Sequence, residues 1–167
     1  MIDVAWCRLM ADYNGWMNER LYGLSATLPD GERKRDRGAF FGSLHRTLDH
    51  ILLGDRMWIG RFTGRSYRVV PLGQTLYEDF DALAGARREM DAEIRAFARG
   101  VTAGWLAERL AVTSAADGVT RARPAWVFVT HLFNHQTHHR GQATTLLMQA
   151  GIDPGVTDLP KLPSLEP

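Results

Sequence analysis

The chain has 167 residues, 45% hydrophobic and 23% charged, which suits one globular domain over residues 1–167 with enough apolar material for a core. Twenty Lys and Arg against nineteen Asp and Glu leave a formal net charge of +1, without the concentrated basic surface that direct nucleic-acid or membrane binding requires. The single cysteine, Cys7, excludes an internal disulfide and lies in an apolar-periodic stretch, as a buried, inert thiol would.

The seven prolines punctuate the chain, and helices are expected in the long intervals between them. In the first, Trp6, Leu9, Met10, Tyr13, Trp16, Met17 and Leu21 recur at spacings of three and four. The run GERKRDR follows at residues 31–37. Its mixed signs predict a solvated loop rather than a phosphate-binding patch. A second helix is predicted around Phe41, Leu44, Leu48, Ile51, Trp58 and Phe62. A third carries Phe80, Leu83, Met90, Ile94 and Phe97, with Thr75 and Glu78 spaced as a capping box at its start. The stretch LAVTSAADGVTRAR, with Asp117-Gly118 between short β-prone runs, predicts a small hairpin.

The fourth helix is expected to start at Pro124, run through Trp126, Phe133, Leu146 and Leu147, and stop at Gly151. Residues 151–167, with four of the seven prolines, read as an extended tail. The fold class is therefore all-α, a four-helix bundle, and short links such as residues 28–36 favour antiparallel neighbours. Aromatic residues on the first and fourth helices (Trp6, Trp16, Trp126, Phe128 and Phe133) exceed one narrow core stripe and suggest a homodimer. The start MIDVAWCRLM lacks a basic, apolar leader, and no run approaches a membrane span, so a soluble cytoplasmic protein is expected.

The histidines are confined to two patches. His45 and His50 lie in the second predicted helix, and His131, His135, His138 and His139 in the fourth. His135 and His139, four apart, differ by roughly 40° around a helix and can converge on one ion. His131 and His138 lie near the same face, so spacing alone permits other pairs. His50 sits between core positions, whereas His45 is about 140° round the helix from it. Three neutral imidazoles would fix a divalent transition metal, Zn, Ni or Fe, and leave coordination positions open. The plainer alternatives are a surface patch or satisfied core histidines. The His-Glu-x-x-His pattern is absent, and the fourth helix has no carboxylate between residues 125 and 150, which excludes a di-iron carboxylate bundle.

NHQTHHRGQ (134–142) and FFGSLHRTLDHILLGDRMWIGRF (40–62) resemble the signatures of the DinB family of DinB/YfiT-like metalloproteins. DYNGWMNERLYGL and GIDPGVTDLP also read like members, so the resemblance covers nearly the whole chain. It implies a four-helix bundle, often dimeric, with a divalent metal on His50, His135 and His139. His138 would then point toward helix packing or a subunit interface, His131 would line the pocket, and His45 would either support a ligand from behind or be structural. Asp49 stands where many relatives have Asn. It either faces the site or satisfies a hydrogen bond elsewhere. Gln142 is placed to hydrogen-bond a ligand or a bound water, Arg140 to pair with Asp55 or Asp49, and Gly141 to allow a close helix approach.

The resemblance implies two functional classes. One is a metal-dependent transferase or hydrolase, in which a low-molecular-weight thiol or water is activated at the metal. The other is a metal-binding protein without turnover, acting as a stress-response sensor, store or dimeric interaction module.

Overall fold

The proline-free intervals fold into four long helices. The computed structural model describes residues 1–71, 73–114 and 117–165. In chain order these hold α1 (Val4–Ala26), the short α2 (Asp30–Lys34), α3 (Leu44–Thr63), α4 (Phe80–Gly100), the short α5 (Ala103–Ala107), β1 (Arg109–Thr113), β2 (Thr120–Pro124) and α6 (Ala125–Gln149). Among the described residues the chain is thus mostly helical with one small antiparallel sheet, as expected. Among the described residues no helix is long and apolar enough to cross a membrane.

The starts of the helices have local causes. Asp3, Ser43 and Asp79 each accept a backbone N–H of the first turn, from Trp6 at 2.7 Å, Arg46 at 3.2 Å and Ala82 at 2.8 Å. The Asp79 cap replaces the expected Thr75–Glu78 box. Both Asp49 oxygens accept the N–H groups of Leu76 and Tyr77, at 2.7 and 2.8 Å, and this holds that segment outside the helix. Pro124 ends β2, and α6 begins one residue later than expected. Its end is as expected: Gly151 takes φ +82°, its N–H bonds Met148 O at 3.0 Å, and the Ile152 N–H bonds Leu147 O at 2.9 Å. This is a Schellman closure that only glycine enters cheaply.

The charged run at 31–37 is not simply a loop. It lies partly in α2, with Lys34 paired to Asp30 at 2.7 Å and Arg37 to Glu32 at 2.6 Å. This helix also changes the layout of the bundle. Both α1 and α3 pack on α4 and α6, so α1 and α3 occupy opposite corners rather than the neighbouring positions that a short link favours. Residues 27–43, with α2 packed on α3, are long enough to cross the end of the bundle.

The core is apolar, with Leu21, Leu48, Ile51, Leu52, Leu83, Ile94, Leu132, Phe133, Leu146 and Leu147 all at most 1% exposed. Each such side chain contributes about 1.5–3 kcal/mol by leaving water. The aromatics that suggested a dimer pack within their own chain: Trp6 stands edge-on to Phe133 at 5.5 Å, and Trp16 and Trp126 lie against the core.

One buried polar network joins all four corners. Arg87 of α4 bonds Asp55 of α3 at 2.5 Å and Asp91 at 2.9 Å. Gln136 of α6 donates to Asp55 at 2.8 Å, and Asn18 of α1 donates to Asp91 at 2.8 Å. Arg140 does not pair with Asp55 or Asp49, as the sequence had suggested. Its guanidinium is buried, donates to Asn14 of α1, and lies over the Tyr13 ring. Such pairing satisfies charges that would be costly to bury alone.

The hairpin forms over the expected stretch, with Leu110 opposite Arg123 and Val112 opposite Arg121. Ala115 and Ala116 of that stretch, and Glu166 and Pro167 of the tail, lie outside the described residues. The tail runs along α1, where Tyr13 Oη donates to Thr157 O at 2.6 Å and Arg20 to Val156 O at 3.1 Å. It includes two short 3₁₀ turns, Leu159–Lys161 and Pro163–Leu165. Cys7 is fully buried, as expected, and burial raises its thiol pKa to about 11.

Candidate metal centre

The seam between α3 and α6 carries the site. His50 projects from α3, and His135 and His139 project from successive turns of α6. One nitrogen from each of the three lies within 4.8 Å of the other two, and His50 Nε2 is 3.1 Å from His135 Nε2. Among the described residues these three histidines are the group able to hold a metal ion, with no carboxylate joining them.

Neighbouring residues shape each ring's position. Gly54 lies one turn beyond His50, and a β-carbon there would stand 2.6 Å from His135 Cε1. The glycine lets the His135 ring rest against the α3 backbone. His135 Nδ1 is buried on that side without a hydrogen-bond partner. Phe41 stacks on His50 with ring centroids 4.0 Å apart, presented by the tight turn in which Gly42 takes φ +77°. His139 Nδ1 donates to Gln142 Oε1 at 2.8 Å, which leaves the Nε2 lone pair of His139 free. The Gln142 amide nitrogen in turn approaches His138 Nε2 at 3.4 Å.

The electrostatics favour neutral rings. Burial, reinforced by His139, lowers the His50 pKa to about 4. Burial and the neighbouring histidines, His139 foremost, lower that of His135 to about 3. Burial also lowers His139, partly offset by Gln142. Three neutral imidazoles with converging lone pairs suit a borderline divalent ion, so the residues present fit a metal.

Two hollows meet at His50. A polar one of about 380 Å³ is bordered by Asp36, Arg46, Asp49 and Gln74. A larger, more apolar cleft of about 540 Å³ runs along the α3–α6 seam and also reaches His135.

The DinB family model matches residues 1–166. The chain belongs to the DinB family. It is 27% identical over 152 residues to protein DinB of Bacillus subtilis (strain 168), covering 88% of this chain and 87% of that one. The crystal structure of a DinB-like protein from Bacillus cereus ATCC 10987 has the same fold, with a TM-score of 0.62 and 25% identity over 84% of this chain and 90% of that one.

In this DinB-family bundle the other sequence candidates fall into place around the cluster. His131 stands outside it, edge-on to Trp58 at 5.0 Å, and lines the apolar cleft. His138 is exposed on α6. His45 is buried and donates from Nε2 to Tyr77 O at 2.7 Å. Asp49 satisfies the Leu76 and Tyr77 amides, with its pKa raised by burial, and so pins a loop rather than facing the metal position.

Gly141 needs no close approach, since a β-carbon there would meet nothing within 4 Å. The glycine that matters is Gly54. The sequence did carry a signal for it, a helix-interior glycine four residues after His50, but nothing in one sequence says which glycine faces a neighbour. Phe41 was read only as a core residue, and its stacking on His50 depends on the turn at Gly42.

Proposed function

We propose that this DinB-family protein is a metal-dependent enzyme of the thiol-transferase or hydrolase type, with a divalent transition ion on His50, His135 and His139. The observation that carries the reading is the convergence of three neutral imidazole nitrogens, with His50 bordering both hollows and His135 the larger one. Zinc, nickel and iron all suit this donor set. When bound, such an ion supplies Lewis acidity and lowers the pKa of a coordinated water or thiol.

The chain's own groups do the rest. Gln142 orients His139 and holds its proton on Nδ1, so that Nε2 faces the centre. Phe41 covers one face of His50 and excludes water from it. The polar hollow admits a small nucleophile, and the apolar cleft receives the body of its reaction partner.

A metal-binding role without turnover, as a sensor or store, draws on a different observation. Asp49 is committed to the backbone, and no carboxylate joins the three histidines among the described residues, so a general base is not in place. The deciding experiment assays zinc-loaded and nickel-loaded protein for thiol conjugation to small electrophiles and for ester and amide hydrolysis. Turnover that is abolished by chelation and by His135→Ala supports the enzyme. A fully loaded protein without turnover across both panels supports the non-catalytic role.

A further inference from the structure

The apolar cleft has a polarity that the metal site does not explain. Its inner end is His50 and His135, and its walls are Leu53, Met57, Trp58, Val127 and Phe128. Its outer end carries three arginines: Arg61 of α3, and Arg121 and Arg123 of the hairpin. Arg121 is neutralised by Asp117 at 2.7 Å. Arg61 and Arg123 have no carboxylate partner among the described residues. Arg61 lies over the Trp58 ring at 4.8 Å and donates to Thr113 O at 3.2 Å, and Arg123 donates to Ala122 O at 2.9 Å. Two guanidinium groups with no carboxylate partner among the described residues therefore line an apolar trough that also reaches the histidine cluster.

We infer that this cleft binds an elongated organic acid, with its apolar body against Trp58 and Phe128 and its acidic head on Arg61 and Arg123. The end away from the acid lies at the histidines. That orientation rests on the metal-enzyme reading, whereas acid binding itself does not. The dimensions agree. Arg61 folds back over Trp58, which is eight residues from His50, or about 12 Å along α3 at helical rise. A cavity of about 540 Å³ holds a small ligand of that length. Charge complementarity decides the class of ligand. A guanidinium pair beside an apolar wall favours a carboxylate or phosphate head over an amine or an uncharged alcohol.

The test is calorimetric titration of octanoate, octyl phosphate, octanol and octylamine into zinc-loaded and chelator-treated protein. The inference predicts that at least one acid binds both forms, about tenfold or more tighter than octanol or octylamine. Arg61→Gln and Arg123→Gln should each weaken the acid about tenfold, Arg61→Lys should restore much of the loss, and Arg121→Gln should change little. Octanoate binding without octyl phosphate binding assigns the head to a carboxylate, and the converse to a phosphate. Equal affinity for all four compounds, or no binding, overturns the inference. So does acid binding that needs zinc and ignores Arg61→Gln, because the head would then sit on the metal. A protein that takes up no zinc but still binds the acid through Arg61 refutes the metal reading and leaves the acid site standing.

Discussion

Gly54 and His135 are in contact across the α3–α6 seam, so close that a β-carbon on Gly54 would stand 2.6 Å from the His135 ring. On helix propensity alone, Gly54→Ala would stabilise α3 by about 1 kcal/mol. The contact predicts a different result for metal binding. The ring is the far end of a side chain and can swing away, but doing so takes Nε2 out of the cluster. Gly54→Ala is therefore expected to retain the fold by circular dichroism and to weaken zinc binding at least tenfold in a chelator competition. Gly141→Ala, in open space, serves as the control and should bind zinc like the wild type.

Gln142 and Arg140 flank the same turn of α6 but serve different structures. Gln142→Ala removes the acceptor that orients His139 and should lower zinc affinity by about 10–100-fold with little change in stability. Arg140→Ala leaves Asn14 without its buried donor and should cost about 1–3 kcal/mol in urea unfolding, with metal stoichiometry unchanged. A loss of metal in Arg140→Ala but not in Gln142→Ala would reverse the two assignments.

The Arg87–Asp55 pair is the structural centre of the bundle. Arg87→Met would strand a fully buried carboxylate and is expected to destabilise the protein by about 3–5 kcal/mol. Equilibrium unfolding checks this. Loss of less than about 1 kcal/mol would mean that Asp55 finds another partner or takes up a proton.

The metal-free protein should be acid-labile for a specific reason. His50 and His135 have folded pKa values of about 4 and about 3, below the ordinary 6.5. Between pH 6.5 and these values the unfolded chain binds protons that the folded chain rejects, so stability falls as the pH falls. Their contribution is complete above pH 6.5 and lost as the pH drops through 4 toward 3. The melting temperature of metal-free protein should decline across that window, and His135→Ala should decline less steeply. A wild-type profile no steeper than that of His135→Ala would show that His135 is not held neutral by the fold.

How much of this was legible beforehand depended on the range of the interaction. The helices are local objects, and the three- and four-residue spacings around Leu48, Leu83 and Leu146 marked them well. Gly151 announced the end of α6 because a positive φ is a local requirement. Spacing brought His135 and His139 to one face but could not separate them from His131 and His138. That choice depends on which ring α3 lies against. The capping box at Thr75 failed to form because Asp49, remote in sequence, holds Leu76 and Tyr77 elsewhere. The same limit hid the bond between Arg87 and Asp55, which are 32 positions apart and bear no common motif. It also hid the diagonal placement of α1 and α3, since link length does not say which corner a chain crosses to.

The most direct test of the central claim is elemental mass spectrometry of tag-free protein, measured beside His50→Ala and His135→Ala. About one zinc, nickel or iron per wild-type chain, lost in both variants, is the predicted result and would make the two histidine patches halves of one site. Wild-type protein that stays metal-free after reconstitution with zinc and nickel would contradict it, leaving His50, His135 and His139 as packing residues of the α3–α6 seam.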